Sequence, residues 1–579
     1  MSSGQAIRPS QFVLTYGVGA IIEAPDGPRV IPSFRDWGRI FSEPNASLSL
    51  GKYEIRDSKV TNLLRGGKIF RLPTNADLEL PDDRVLFRTR RFPQWAFCQT
   101  HMILYKLTSI GTTKCPQCNP AKQAQQEATR FIRACPRGHV DDVDWGGIVH
   151  RNSAKCSSEL YDWVETGSSM WDITIQCRRP GCGASASLQD IYNETWKCSG
   201  RFIENDLIEP CDEKASIILR NASNLRIAET VSAITIPPMT SPLHRILESS
   251  RVLPILAAET SWTKDNLLLK LRTAAQRFPE MNSGIIDIEC SSEESILAAI
   301  SDVLRPQEED LTDTDVKTKE LAALRYAALH GAPPQSLSEP QDFEVDKDAV
   351  RHSVQFSNLC LRITPVKRLR VVTAQRGYVR PIRGPAKSVV ETCLNDGQDR
   401  WYVGTELRGE GIFVDLSVHQ DFELKETSKK ALWLSAHNET GRFNFHPLFV
   451  WWHSLSHRLI VALSIDSGYS SASIRERVYL RQDLENGKIY GGVLLYTTQM
   501  GGDGSLGGLI ALVPEFERVL TAARRNIHSC SNDPLCGEQQ LAEGKPNGAA
   551  CYACLLVSET SCEFGNLYLD RNLLRENII

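Results

Sequence analysis

The chain has 579 residues, 66 Lys+Arg against 70 Asp+Glu for a formal net charge of -4, and is 41% hydrophobic and 23% charged. That length exceeds one ordinary hydrophobic core and points to about three to five domains. The composition excludes a disordered chain, and the near-neutral charge excludes a uniformly basic nucleic-acid coat, though not a local basic groove.

The first segment, residues 1–91, opens with MSSGQAIRPSQFVL, which lacks a charged start followed by a continuous apolar run. Short apolar stretches then alternate with Gly/Pro turns (TYGVGAIIEAPDGPRVIP), which predicts a small β-containing module. With no run of about 18 apolar residues, no membrane segment is expected, and the reading is a cytoplasmic protein.

Residues 92–215 hold nine of the 17 cysteines, with several Trp and many turn residues. Cysteines bunched at ligand spacings in a chain without an export signal point to zinc rather than to disulfides. Cys98-x2-His101 and Cys115-x2-Cys118 offer two ligand pairs, each from one tight turn, that can close a tetrahedron around Zn2+. Cys135 and His139 follow closely, and they either replace His101 or begin another site. Cys177-x4-Cys182 with Cys198 and Cys211 reads as a second centre.

Residues 216–341 change to apolar positions at three- and four-residue steps, as in KDNLLLKLRTAAQRF and VKTKELAALRYAALHG, so a mostly helical region is expected. From 342 to 579 the pattern is mixed: strand-like LRITPV, LRVVTA, RWYVGTELR, GIFVDL and YGGVLLYTT surround an apolar helix near Val450 to Ser464. The expected architecture is therefore α+β and multi-domain, with a zinc-rich middle, a helical insert and a mixed C-terminal domain.

Five cysteines near the end, Cys530, Cys536, Cys551, Cys554 and Cys562, exceed the four positions of one zinc site, so one outer cysteine is expected to be spare. In total about two to three structural zinc sites are predicted, closed by four ligands and hence contributing to folding rather than catalysis. Cys290, Cys360 and Cys393 stand alone and receive no role.

Three further features of the sequence bear on possible chemistry. His453 and His457 stand at i and i+4 beside His446, but Ser454 occupies the place of the metalloprotease glutamate, which favours helix packing. The loop QMGGDGSLGGLIAL reads equally as a tight turn or a phosphate cradle. Arg362, Lys367, Arg368, Arg370, Arg376, Arg380, Arg383 and Lys387 surround Tyr378, a set able to neutralise phosphates and stack a base if it shares one face. No G-x-x-x-x-G-K-[ST] loop occurs, so no ATPase motor is expected in this chain.

The ordered series HSLSHRLI, SGYSSASIRERVYL, GGVLLYTTQMGGDGSLGGLIAL and GAACYACLLVSETSCEFGNLYLDRNLL resembles the DUF1998 module over Phe443 to Leu574. With RPSQFVLTYGVGAIIEAPDG and RFIRACPRGHVDDVDWGGIVH, the likeness extends to the DrmB family of the DISARM anti-phage system. This resemblance implies a non-catalytic accessory subunit that works with a DrmA-like superfamily 2 helicase on phage DNA. Carried over by residue, the family's terminal cluster falls on Cys536, Cys551, Cys554 and Cys562, with Cys530 an added candidate. The zinc-rich middle falls on Cys98, Cys115, Cys118 and Cys135, with His139 nearby. The rival readings are a metal-dependent nuclease or hydrolase using His446, His453, His457 and Asp503, and a purely structural adaptor.

Overall fold

The computed structural model describes the chain apart from residues 1–5, 35–49, 82–86, 108–114, 119–125, 236–245, 248–250, 301–311, 331–341, 346–351, 417–423, 483–488, 500–506, 542–545 and scattered positions elsewhere, most of them between 279 and 299. It has two compact units, Met1–Ser232 with Val372–Glu406, and Ala233–Val371 with Leu407–Ile579. Two long strands, Leu359–Val379 and Asp399–Leu416, contribute residues to both, and each unit is described by itself.

The first unit is built from short strands. A hairpin joins Ile21–Ala24 to Gly27–Val30, with Ile21 opposite Val30. A six-stranded antiparallel sheet runs in the order Ser185–Ser187, Ile173–Cys177, Leu160–Glu165, Ile103–Lys106, Trp95–Cys98, Gln126–Ala128. A four-stranded sheet orders Val140–Asp142, Phe131–Ala134, Lys214–Leu219 and Thr195–Lys197. Trp95, Leu104, Trp145, Tyr161, Ile175, Leu188, Ile191 and Ile217 form one of its cores. Strands of three to six residues bury little apolar surface each, so their ends need another fastening. Those ends carry Cys98 and Cys177 and lie beside Cys135 and Cys198.

The second unit is dominated by one helix, Pro447–Asp466, whose first seventeen residues are almost all buried. Pro447 occupies the first helical position, and the His446 ring nitrogen Nδ1 accepts the Leu448 backbone N–H at 3.2 Å, satisfying an otherwise unpaired donor. A helix apolar all round must be enclosed. Here Leu448, Trp451, Trp452, Leu455, Leu459 and Leu463 join Ile412, Val414, Val478, Val493, Leu520 and Leu573 in a single core. Among the described residues this helix is also the one long and apolar enough to cross a membrane, and enclosure in the core accounts for that character.

Against it lie Ile474–Gln482 and Ile489–Gln499, paired antiparallel with Ile474 opposite Thr497, and Ile489–Gln499 in turn pairs with Arg408–Asp415. The helix Asp313–His330 buries Leu321, Leu324, Ala327 and Ala328 against Val366, Phe413, Tyr479 and Leu494. Its Glu320, fully buried, accepts from Arg477 Nε at 2.6 Å, Ile234 N at 2.9 Å and the Tyr479 hydroxyl at 3.2 Å. In the helical insert, Lys264–Ala275 is capped by Thr263 and turns Leu267, Leu271 and Ala275 into a separate core, the four-residue step read from the sequence. The α+β, multi-domain architecture agrees with the sequence reading.

Candidate metal centres

Four sets of Cys and His side chains converge within ligand range of a common point. The fit to zinc is tested by edge length: Zn–S of about 2.3 Å in a tetrahedron requires ligand atoms roughly 3.3–3.8 Å apart.

In the first set, Cys98 ends strand Trp95–Cys98, His101 sits in the following turn, and Cys115 and Cys118 come from one loop. Cys98 Sγ is 3.5 Å from His101 Nδ1 and 3.6 Å from Cys118 Sγ, while Cys115 and Cys118 lie 3.7 and 3.4 Å from the same nitrogen. These are the expected edges, and the four residues are those the spacing had grouped.

The second set is Cys135, His139, Cys198 and Cys211. Cys135 and His139 are joined by a tight turn through Gly138, whose φ of 97° suits glycine. Cys135 Sγ and Cys198 Sγ stand 3.4 and 3.5 Å from His139 Nδ1. The other ring nitrogen, Nε2, lies 3.0 Å from Glu209 Oε1, a carboxylate that fixes the ring with Nδ1 directed inward. Hydrogen bonding from Cys198, together with His139, outweighs burial and draws the Cys135 thiol down to about 4, toward the thiolate a metal requires.

The third set is His150, Cys156, Cys177 and Cys182; the sequence offers the Cys177–Cys182 pair, while His150 and Cys156 were missed there. His150 Nε2 is 3.3 Å from Cys182 Sγ and Cys156 Sγ is 3.5 Å from Cys177 Sγ, within the tetrahedral range, while the 3.0 Å from His150 Nε2 to Cys156 Sγ is shorter than that edge. His150 Nδ1 donates to the Gly146 carbonyl at 2.8 Å, leaving Nε2 for a metal. The expected grouping of Cys177, Cys182, Cys198 and Cys211 is therefore corrected, because strand pairing carries the first two to His150 and the last two to Cys135. The available signal was Cys156 itself, an unassigned cysteine six residues after a histidine.

The fourth set is Cys530, Cys536, Cys551 and Cys554, with Sγ separations of 3.4 Å between Cys530 and Cys551 and 3.7 Å for Cys536–Cys554 and Cys551–Cys554. Asp533 accepts the Cys530 N–H at 2.8 Å and pairs with Arg571 Nη2 at 2.6 Å, tying the loop to the C-terminal helix Arg571–Arg575. Cys530 is a member and Cys562 is not, which reverses the assignment implied by the family resemblance. Four quartets thus stand where about two to three were expected.

His446 does not join His453 and His457: its imidazole caps the core helix, and burial, aided by His437 and Lys430, lowers it to about 4. Asp503 lies outside the described residues. His453 and His457 are fully enclosed beside Glu476 and Cys562, so the open position a hydrolase needs is not formed there.

The basic set fares differently. Strand Leu359–Val379 is covered on both faces over most of its length, so alternation does not bring its charges out on one solvent face. Tyr378 is fully buried, its hydroxyl 2.5 Å from Glu204 Oε1, which corrects its expected availability for base stacking. Arg380, also buried, donates to Tyr378, Gly138, Leu225 and Gly19. Arg362 forms a two-pronged pair with Asp415, at 2.8 and 2.5 Å, and Arg370 donates to Thr235 at 2.9 Å. Arg376 lies 3.8 Å from Glu391, Arg383 binds the Asn193 carbonyl at 2.9 Å and Lys387 pairs with Glu213. Lys367 is half-buried; Arg368 is exposed, with Glu344 3.6 Å away. These residues do not form one exposed face. In the glycine-rich loop, residues 500–506 lie outside the described residues, and the Leu509 N–H that follows is taken by Glu410 at 2.8 Å.

Residues 455–555 match a family model described as the MrfA Zn-binding domain, which encloses the whole four-cysteine set and stops short of Cys562. Residues 8–227 match a domain of unknown function, DUF8724. A DISARM protein DrmB from Bacillus paralicheniformis is 29% identical over 496 residues, covering 81% of this chain and 83% of its own. The chain resembles DrmB. A solved structure titled DUF1998 helicase MrfA bound to DNA overlaps 41% of this chain and 23% of its own length at 10% identity, with a TM-score of 0.22. Zinc is the metal that the DrmB-like chain's Cys and His sets fit, by donor type, edge length and the matched domain.

Proposed function

We propose that this chain is a non-catalytic accessory subunit of a helicase-containing anti-phage defence complex in the cytoplasm, where it assists recognition and binding of foreign DNA. The observation that carries the reading is the likeness to the DISARM protein DrmB across 81% of the chain. The four quartets support it: a zinc closed by four protein ligands has no position for water or substrate, so these centres shape a scaffold. A DrmA-like superfamily 2 helicase would supply ATP hydrolysis, since this sequence contains no phosphate-binding P-loop motif.

The test is co-expression with the cognate helicase, followed by ATPase and DNA-binding assays with and without this subunit across a salt series. Enhanced DNA affinity that falls steeply with salt, and no ATPase from this chain alone, is the expected result. Arg368→Ala should reduce the salt slope by about one if that exposed arginine meets a phosphate. Affinity indifferent to this subunit would leave a protein adaptor instead.

A further inference from the structure

His453 and His457, one turn apart on the core helix, meet Glu476 from strand Ile474–Gln482 and Cys562 from the segment after the four-cysteine set. His453 Nε2 lies 2.8 Å from Glu476 Oε1 and 3.3 Å from Cys562 Sγ, and His457 Nε2 lies 3.2 Å from the same carboxylate oxygen. Both histidines are fully buried, with Glu476 at 3% and Cys562 at 8% exposure.

The outer contacts fix what the inner atoms present. His453 Nδ1 is 3.2 Å from the Tyr568 carbonyl and His457 Nδ1 is 2.7 Å from the Leu555 carbonyl. A carbonyl only accepts, so each Nδ1 carries a proton and each ring turns Nε2 inward, the nitrogen that could offer its lone pair to a metal. Cys562 Sγ accepts N–H groups from Phe564 at 3.3 Å and Asn566 at 3.2 Å, while burial and the neighbouring Glu476 push its thiol well up, so that a cation beside it is what would make it a thiolate. The second oxygen of Glu476 takes the Ser456 hydroxyl. Two ring nitrogens, a carboxylate and a sulfur thus face one point in a dry core, four donor atoms that one cation would satisfy together.

We propose that His453, His457, Glu476 and Cys562 form a fifth, buried metal centre for Zn2+, separate from the four Cys/His quartets. The two anionic ligands balance a divalent charge, and the N2OS donor set suits zinc while disfavouring Ca2+ or Mg2+. The centre joins helix, sheet and C-terminal segment, and its closed coordination gives it a structural role. The rival state holds the same residues together with protons alone, as imidazolium paired with carboxylate.

The deciding measurement is the zinc count of the purified full-length chain by native mass spectrometry and elemental analysis, in parallel with Cys562→Ser. Four quartets and this centre predict five zinc ions per wild-type chain and four in the variant. Four in wild type, or a count unchanged in folded Cys562→Ser, overturns the proposal. If Cys562→Ser fails to fold, the wild-type count decides alone: five supports the centre and four overturns it.

Discussion

The two units solve the same physical problem differently. The first, in two sheets whose strands run to three to six residues, sets three Cys/His quartets at or near strand ends. The second encloses a twenty-residue apolar helix in a core of more than thirty buried side chains. Where strands are too short to bury much surface, metal–ligand bonds supply the folding free energy; where one helix is hydrophobic all round, burial supplies it.

That contrast can be broken most decisively by zinc removal. Structural zinc in small domains is worth on the order of 10 kcal/mol, so chelation should unfold the region 95–219, while the helix Pro447–Asp466, held mainly by burial even with His453 and His457 stripped of zinc, keeps most of its protection. Hydrogen exchange read by mass spectrometry follows both at once, and equal loss of protection would show that the two units do not differ in this way.

A smaller effect sharpens the other side. Leu459→Ala opens a cavity against a residue with no exposed surface and should cost roughly 2–5 kcal/mol. Melting of the zinc-loaded chain should show the loss, with exchange in 95–219 unaltered.

Smallest is a pH dependence at the helix start. The folded His446 imidazole, depressed to about 4 by burial and its cationic neighbours, binds fewer protons than in the unfolded chain, where it titrates near 6.5. Its contribution is therefore complete above pH 6.5, is lost progressively as pH falls toward 4, and amounts to roughly 3 kcal/mol. His446→Asn preserves the capping acceptor and should flatten this part of the stability profile relative to wild type, as followed by urea denaturation at several pH values. An identical pH profile in the two proteins would remove His446 as its source.

Local patterns were legible because their physics is local. Cys98-x2-His101, Cys115-x2-Cys118 and Cys551-x2-Cys554 place two ligands in one turn whatever surrounds them. The apolar run around Val450 predicts an enclosed helix, and the strand-like segments LRITPV, GIFVDL and YGGVLLYTT form strands of the second unit. His150 and Cys156 were not legible, since five residues between ligands is no turn signature.

Sequence alone determined the close ligand pairs such as Cys98 with His101 and Cys115 with Cys118, the apolar core helix and many of the strand segments, and that zinc rather than disulfide chemistry employs the cysteines. Only the tertiary structure decided which pair meets which, because closing a tetrahedron depends on strands brought together from distant positions, as when Cys198 arrives beside Cys135 and not beside Cys182. It also decided that Tyr378 and Arg380 are internal: a strand's alternation tells which residues share a face, but what covers that face is set by elements remote in the chain.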